Sequence, residues 1–311
     1  MLAMTAITTS PFALAAYPER PVRILVPYQP GGATDFVARL VAQKLSEEFK
    51  QPFVVENRPG AGGMIAVSAV AKAAPDGYTI LIDAPGVVLN PSLYRKVSYD
   101  PKELQPVAQL MTSPFVIVTN PNLPIRNIGD VADYARKNAT KFNVATAGNS
   151  TLLAAQMFRL LANVELTFVP YSGAAPASMS VVSGDTQIMF SDLSSFGQLI
   201  STGRLRAIAV ASERRSPLLP EVPTTREAGM PDYVVSSWFG AFVPALTPPE
   251  IVRRLNDAIN RAIRLPDVVE RLATLGAEPI ALGVDDFSKF YRDELVRWKD
   301  VISRAKVPLI E

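Results

Sequence analysis

Short runs rich in Val, Ile and Leu alternate along the chain with segments whose apolar residues recur every three or four positions. VRILVPY (22–28) reads as a strand, followed by a helix over about 34–49 with Phe36, Val37, Leu40, Val41 and Leu45 on one face. FVVEN (53–57) is a second strand; it leads through RPGAGG into a helix near 64–74, stopped by Pro75-Asp76-Gly77, and YTILID (78–83) is a third strand. Residues 84–110 carry the turn signals Asn90-Pro91 and Asp100-Pro101 and read as irregular. From SPFVIVTNP (113–121) a second alternation begins, with helices near 128–138, 150–162, 174–183 and 194–201 and strands at 142–147, 166–171, 186–190 and 205–211. A proline-rich loop (216–231) precedes the extended run VVSSWFGAFVPA (234–245), and helices at 248–264, 266–275 and 285–305 follow. Strands alternating with helices imply βαβ units and a mostly parallel sheet, which is an α/β fold.

The extended runs 113–121 and 234–245 flank the middle block, so the chain is expected to leave one α/β domain near 120 and return to it near 236. Domain 1 is then 17–120 plus 236–311, domain 2 is 121–235, and the C-terminal helices pack on domain 1. Two antiparallel crossovers would let the lobes rotate about a hinge and close on a ligand. The first residues, MLAMTAITTSPFALAAYPERP, are uncharged until Glu19 and carry Ala13-Leu14-Ala15. They resemble the end of a secretory signal cleaved near Ala15 or Ala16, although the basic start is missing. Residues 1–16 are read as a signal-peptide remnant, with a disordered tail as the plain alternative. No later run reaches the 18 or so apolar residues of a membrane span, so an exported, soluble, periplasmic protein is expected.

Composition removes several classes of chemistry. The 311 residues can bury a large core, with 48% hydrophobic and 19% charged residues. The balance of 31 basic to 29 acidic residues argues against a nucleic-acid partner. Neither histidine nor cysteine occurs. That excludes disulfides, thiolate nucleophiles and Ser-His-Asp arrangements, and it makes a transition-metal site and hydrolytic chemistry poor expectations.

The candidate chemistry lies where strands end and helices begin. Pro30-Gly31-Gly32-Ala33-Thr34 opens a helix whose first-turn amides lack intrahelical partners and sit at the positive end of the macrodipole. Glycines there let an anion approach the backbone. A plain turn capped by Thr34 or Asp35 accounts for the same residues, and the Asp35 carboxylate could itself occupy those amides. Thr146-Ala147-Gly148-Asn149-Ser150-Thr151 clusters hydroxyls and an amide at another helix start, beyond the single residue that capping needs. Tyr171-Ser172-Gly173-Ala174 repeats the shape of the first loop, and Tyr28 and Tyr171 could each offer a phenol or serve as wall packing. Ser191 and Asp192 end strand 186–190 at the edge where open α/β sheets bind ligands. Gly60-Ala61-Gly62-Gly63, followed some 20 residues later by Asp83, mimics a dinucleotide fingerprint, but its third glycine falls on Ile65, where a bulky side chain should block close helix–strand contact.

In this order the segments YPERPVRILVPYQPGGATDFVARL, VVENRPGAGG, PDGYTIL, NPSLY, VPYSGAAPA, LRAIAVASERRSPLLPEVPTTREAG and PPEIVRRLNDAINRAI resemble the Bug family of extracytoplasmic solute receptors. These are the substrate-binding proteins of tripartite tricarboxylate transporters. The resemblance implies a two-lobed, type II-like periplasmic-binding-protein fold, no cofactor and a monomer. It also implies a cleft that closes on a small carboxylate, partly through ordered waters, and then meets membrane translocator subunits. Carried over by position, the ligand loops hold Tyr28, Gly31, Gly32, Ala33 and Asp35; Ala84, Pro85 and Gly86; Thr146, Gly148, Asn149, Ser150 and Thr151; Tyr171, Ser172 and Gly173; and Ser191 with Asp192.

The sequence departs from the family pattern where Thr146 replaces the first glycine and Leu152 the histidine of a loop commonly written G-x-G-S/T-S/T-x-H. Ser191 follows Phe190 where aspartate is frequent, and Gln187 stands at another common aspartate. These losses weaken the case for an ammonium-bearing ligand and leave room for a plain carboxylate with an apolar or aromatic body. Two rival functions remain at this point: a nucleotide (NAD)-binding enzyme using Gly60–Gly63, and a hydrolase with Ser150 or Ser172 as nucleophile, which no histidine is present to activate.

Overall fold

A computed structural model describes residues 17–138, 142–274 and 276–311; the expected signal remnant lies outside them. In chain order the elements are β1 (Val22–Val26), α1 (Ala33–Phe49), β2 (Phe53–Asn57), α2 (Met64–Ala71), β3 (Thr79–Asp83), α3 (Gly86–Leu93) and β4 (Leu104–Thr119). Then come α4 (Ile128–Lys137), β5 (Asn143–Thr146), α5 (Asn149–Ala162), β6 (Thr167–Pro170), α6 (Ala174–Ser183), β7 (Ile188–Asp192), α7 (Gly197–Ser201) and β8 (Arg206–Val210). The chain closes with β9 (Ser236–Pro244), α8 (Pro249–Ala262), α9 (Pro266–Ala273), β10 (Glu278–Pro279) and α10 (Val284–Arg304).

The strands lie in the order β2-β1-β3-β9-β4-β7-β5-β6, with β8 and β10 also paired to β4. Pairing is parallel at both ends, among β1, β2 and β3 and among β5, β6 and β7. The centre is antiparallel: β9 runs against β3 and β4, and β4 against β7. The long β4 therefore belongs to both halves of the sheet, and its pairing with β9, from Leu104↔Pro244 to Pro114↔Ser236, is the double connection between them.

Alternation along β1 shows how the layers form. Ile24 and Val26 face the core that includes Val37, Val41, Leu255 and Ile259 of α1 and α8, whereas Leu25 faces the one that includes Val67 and Val70 of α2. Helices thus cover both faces, as fully buried parallel strands require. Trp238, Phe242 and Phe287 are fully buried where β9 meets α10, each contributing about 1.5–3 kcal/mol from the area it removes from water. The carboxylate of Glu294 accepts from Nε1 of both Trp238 (3.1 Å) and Trp298 (3.0 Å) and is paired with Arg297. Helix α10 also reaches the other half of the sheet: Arg297 donates to the Val234 carbonyl, and Arg159 of α5 donates to the Ala305 carbonyl at 3.3 Å. Packing of the last helix is thus broader than its expected place on the first lobe.

Residues 84–110, read as irregular, contain α3 and the first part of β4. Asn90-Pro91 signals a turn, yet Pro91 lies inside α3. Proline removes the hydrogen bond to the carbonyl four residues earlier, Val87, and the Tyr99 hydroxyl donates to that carbonyl at 3.0 Å instead. Pro106 is accommodated in β4 because the register with β9 shifts between Pro106 and Ala108.

Candidate functional site

Three helices, α2, α3 and α5, begin at one mouth between the halves of the sheet, and among the described residues none of them has a side-chain hydrogen bond capping its N-terminus. The cavity there measures about 380 Å³, within the range of small-molecule sites. One half supplies Pro27, Tyr28 and Gln29 after β1, Pro59, Gly60, Gly62 and Gly63 before α2, and Ala84, Pro85, Gly86, Leu89 and Asn90 around the start of α3. The other supplies Asn149 and Ser150 at the start of α5. Among the described residues no charged side chain lines it. The positive ends of helices, with hydroxyls and amides, are what this surface offers, and they suit an anion.

The walls are held from behind. Asp35 is buried and accepts from the Gly31 amide (3.0 Å), Arg39 Nε (3.0 Å) and Asn57 Nδ2 (2.9 Å), while the same Asn57 nitrogen donates to the Tyr28 carbonyl at 3.0 Å. The hydrogen bond from Arg39, with those from Gly31 and Asn57, lowers the Asp35 carboxyl to about 2, so it stays ionised. The one amide that Asp35 takes, Gly31, precedes the N-cap Gly32 and is not a first-turn amide of α1; with Asn57 it fixes the loop that carries Tyr28. Asn90 Nδ2 donates to the Gly62 carbonyl at 2.9 Å, joining α3 to the glycine loop. Gly62, at φ +64°, has no room for a side chain, since a Cβ would stand 2.6 Å from the Tyr94 hydroxyl. Thr151 Oγ1 accepts from the Ala147 amide (2.6 Å) and donates to the Gly148 carbonyl (3.0 Å), tying down the loop before α5.

Asp83, at the end of β3, is buried and pushed up to about 7 by desolvation, against the opposing effects of the Ala84 amide (2.7 Å) and the Tyr28 hydroxyl. Burial, with Asp83 alongside, also raises the Tyr28 phenol well above its usual value.

The cavity gathers Tyr28, Ala84, Pro85, Gly86, Asn149 and Ser150 from the residues expected from sequence. Gly31, Gly32, Ala33 and Asp35 stand outside its lining; Gly31 and Asp35 border a smaller pocket of about 220 Å³ with Arg39 and Arg271. Thr146, Gly148, Thr151, Tyr171, Ser172, Gly173, Ser191 and Asp192 also stand outside it, at the strand ends of the second half. Ser194 and Ser195 both donate to the Asp192 carboxylate, and Tyr171 packs against the core of that half. The sequence reading does not include Leu89 and Asn90, and it weighs Gly60–Gly63 only as a rival nucleotide loop and not as part of this cavity. Ile65 does not obstruct the strand as expected: it is 51% exposed and lies over Gly60. Two larger grooves, of about 620 and 480 Å³, lie between the starts of α8 and α10 and along the β4–β9 crossover; unlike the cavity they are lined by carboxylates, Asp285 and Asp286 in the first and Glu213 and Glu278 in the second, which disfavour an anion.

The chain and its fold are similar to known proteins. Residues 37–307 match the model of the tripartite tricarboxylate transporter family receptor. The chain is 37% identical over 313 residues to BugT of Bordetella pertussis, covering 98% of this chain and 95% of that protein. A structure of R. palustris Rpa4515 with adipate superposes with a TM-score of 0.79 at 34% identity, covering 94% of this chain and all of that one. MatC of Rhodopseudomonas palustris with bound malate gives 0.76 at 34% identity, covering 92% of this chain and again all of the other. A mouth of uncapped helix starts and a match that spans almost every element agree: the chain belongs to the tripartite tricarboxylate transporter receptor family, the Bug-type solute-binding proteins.

Proposed function

We propose that this protein captures a small carboxylate in the cavity between the halves of its sheet and presents it to membrane translocator subunits of a tripartite tricarboxylate-type transporter, or to a sensor. One observation carries the reading: helix starts from both halves face one cavity without side-chain caps and without a charged residue in the lining among the described residues. Relatives solved with adipate and malate support the ligand class. Charge-assisted hydrogen bonds at about 1.5–3 kcal/mol each supply part of the roughly −8 kcal/mol of micromolar binding, and apolar contact to Pro27, Pro85 and Leu89 adds to them.

The two lobes are 17–120 with 236–311 and 121–235, hinged where β4 and β9 cross, and the ligand bridges Gly86 on one side to Asn149 and Ser150 on the other. Ordered waters link it to Gly31–Ala33 and to the loops at Thr146–Thr151, Tyr171–Gly173 and Ser191–Asp192. The protein acts in the periplasm, as a monomer and without catalysis; among the described residues no helix is long and apolar enough to cross a membrane. A thermal-shift panel of adipate, malate, succinate and benzoate against NAD and ATP tests the function. A ligand at 100 times its dissociation constant adds about 2.7 kcal/mol of stability, so at least one carboxylate should raise the melting temperature. A response to NAD with none to any carboxylate overturns the proposal.

A further inference from the structure

Strand β3 ends in a carboxylate placed where a carboxylate is unfavourable. Leu81 packs in the core shared by Val87, Tyr99, Phe242, Phe287 and Tyr291, and the two-residue period of the strand turns Asp83 to the same side. Asp83 is 1% exposed, and across the sheet it faces Gly240 of β9, which has no side chain. Its titratable neighbours are phenols: Tyr28 from the loop after β1, Tyr99 from the segment before β4 and Tyr291 from α10. Tyr94, at the end of α3, and Asp100 reach the cluster through Tyr28 and Tyr291 respectively. Among the described residues no Lys or Arg pairs with Asp83. Buried carboxylates are ordinarily paired, and burial without a counter-ion favours the protonated form.

The position ties this group to the cleft. Asp83 is followed at once by Ala84, Pro85 and Gly86 of the cavity lining and accepts a hydrogen bond from the Ala84 amide. Tyr28, beside it, is another lining residue, and its hydroxyl stands 2.8 Å from where a Cβ on Gly86 would lie. A ligand carboxylate held by the start of α3 would share this water-poor surface with Asp83, and two like charges there cannot both be ionised without cost.

We infer that Asp83 couples capture to proton uptake, acting through Tyr28 and the Ala84–Gly86 loop so that the cleft binds an anionic ligand together with one proton; this rests on the carboxylate reading above. Asp83 is a positioning residue and touches no ligand. Its folded-state value of about 7 leaves it partly ionised in the empty protein at neutral pH, and an arriving anion shifts it to the protonated form. The chain has no histidine and no cysteine, so no other side chain ordinarily titrates between pH 6 and 8.

The test is titration calorimetry of the whole protein with adipate, malate, succinate and benzoate, all fully ionised at pH 8, in buffers of differing ionisation enthalpy. The expected result is uptake of about 0.5–1 proton per ligand at pH 8, with affinity falling by up to tenfold per pH unit above 7. Asp83→Asn should abolish the uptake and flatten the pH dependence while binding more tightly than the parent at pH 8. Binding without proton uptake by the unsubstituted protein overturns this inference alone, whether or not the variant folds. No binding by any of the four at pH 6 overturns the functional reading and this inference with it.

Discussion

Replacing Gly86 by alanine adds one methyl group to the cavity floor. An ideal Cβ there lies 2.8 Å from the Tyr28 hydroxyl and 3.9 Å from Asn90 Nδ2 and the Gly62 carbonyl oxygen. The first contact is too close, so Tyr28 must shift or the start of α3 must tilt. A tilt displaces the Gly86 amide proposed to hold the ligand, and a shifted Tyr28, itself a lining residue, moves into the space proposed for it. The loss of one charge-assisted hydrogen bond is about 1.5–3 kcal/mol, equivalent to a dissociation constant roughly 10 to 150 times larger. The backbone carries no added strain, because Gly86 sits at a helix start outside the left-handed region and alanine is the better helix former. Calorimetric titration with the tightest carboxylate of the panel, beside a far-UV spectrum, separates binding from folding. An affinity within twofold of the parent, with the spectrum unchanged, refutes the assignment of this helix start to the ligand.

Other consequences concern stability and the loops. Asp83→Asn removes a group whose folded value of about 7 exceeds its ordinary 3.8. Between those values the native state holds the proton and the unfolded chain does not, so parent stability falls as pH rises to 7. The variant should therefore exceed the parent at pH 8 by up to roughly 4 kcal/mol, and by much less at pH 4; urea midpoints at both pH values decide. Asp35, held at about 2, has the opposite sign: its stabilisation is present above pH 4 and lost as pH falls through 2. Asp35→Asn should cost about 2 kcal/mol at pH 7, and equal urea midpoints for parent and variant would contradict that. Gly240→Ala would set a Cβ 2.4 Å from the Phe287 ring; overpacking of this kind costs about 1–3 kcal/mol, read from thermal melting. Gly32→Val meets nothing within 4 Å at its first added carbon, at an extended φ of −82°, so melting should shift little, and unchanged affinity would remove Gly32 from the water-linked part of the site.

Much of the fold is written in local pattern. The face of Val37, Leu40, Val41 and Leu45 in α1, the strand at 53–57 and the alternation of Ile24, Leu25 and Val26 follow from periodicity alone, because burial against two layers leaves no other arrangement. Where a local signal was overruled by distant contacts, the pattern misled: Pro91 reads as a break until Tyr99 supplies the partner that Val87 loses. The site divides in the same way. Helix starts with glycine, hydroxyl and amide groups are legible in the sequence as candidates for holding an anion, and Gly86, Asn149 and Ser150 meet at one cavity. Which of several mouths faces the cavity depends on tertiary placement, and a loop such as Gly31–Ala33 carries the same local signal without reaching the lining. Asn90 was hidden because it precedes a proline and looked like a turn residue; its role comes from a carbonyl 28 positions away. Asp83 was noted only for its distance from a glycine cluster, since nothing in its neighbours along the chain reveals that β3 ends among phenols.

The most direct measurement is a crystal structure of the protein grown with the carboxylate that gives the largest thermal shift. We expect one carboxylate group within about 3 Å of the backbone nitrogen of Gly86 and of Asn149 or Ser150, with both halves of the sheet touching the same molecule. A ligand seated in the groove between α8 and α10, or held by one half alone through charged side chains, would contradict the account.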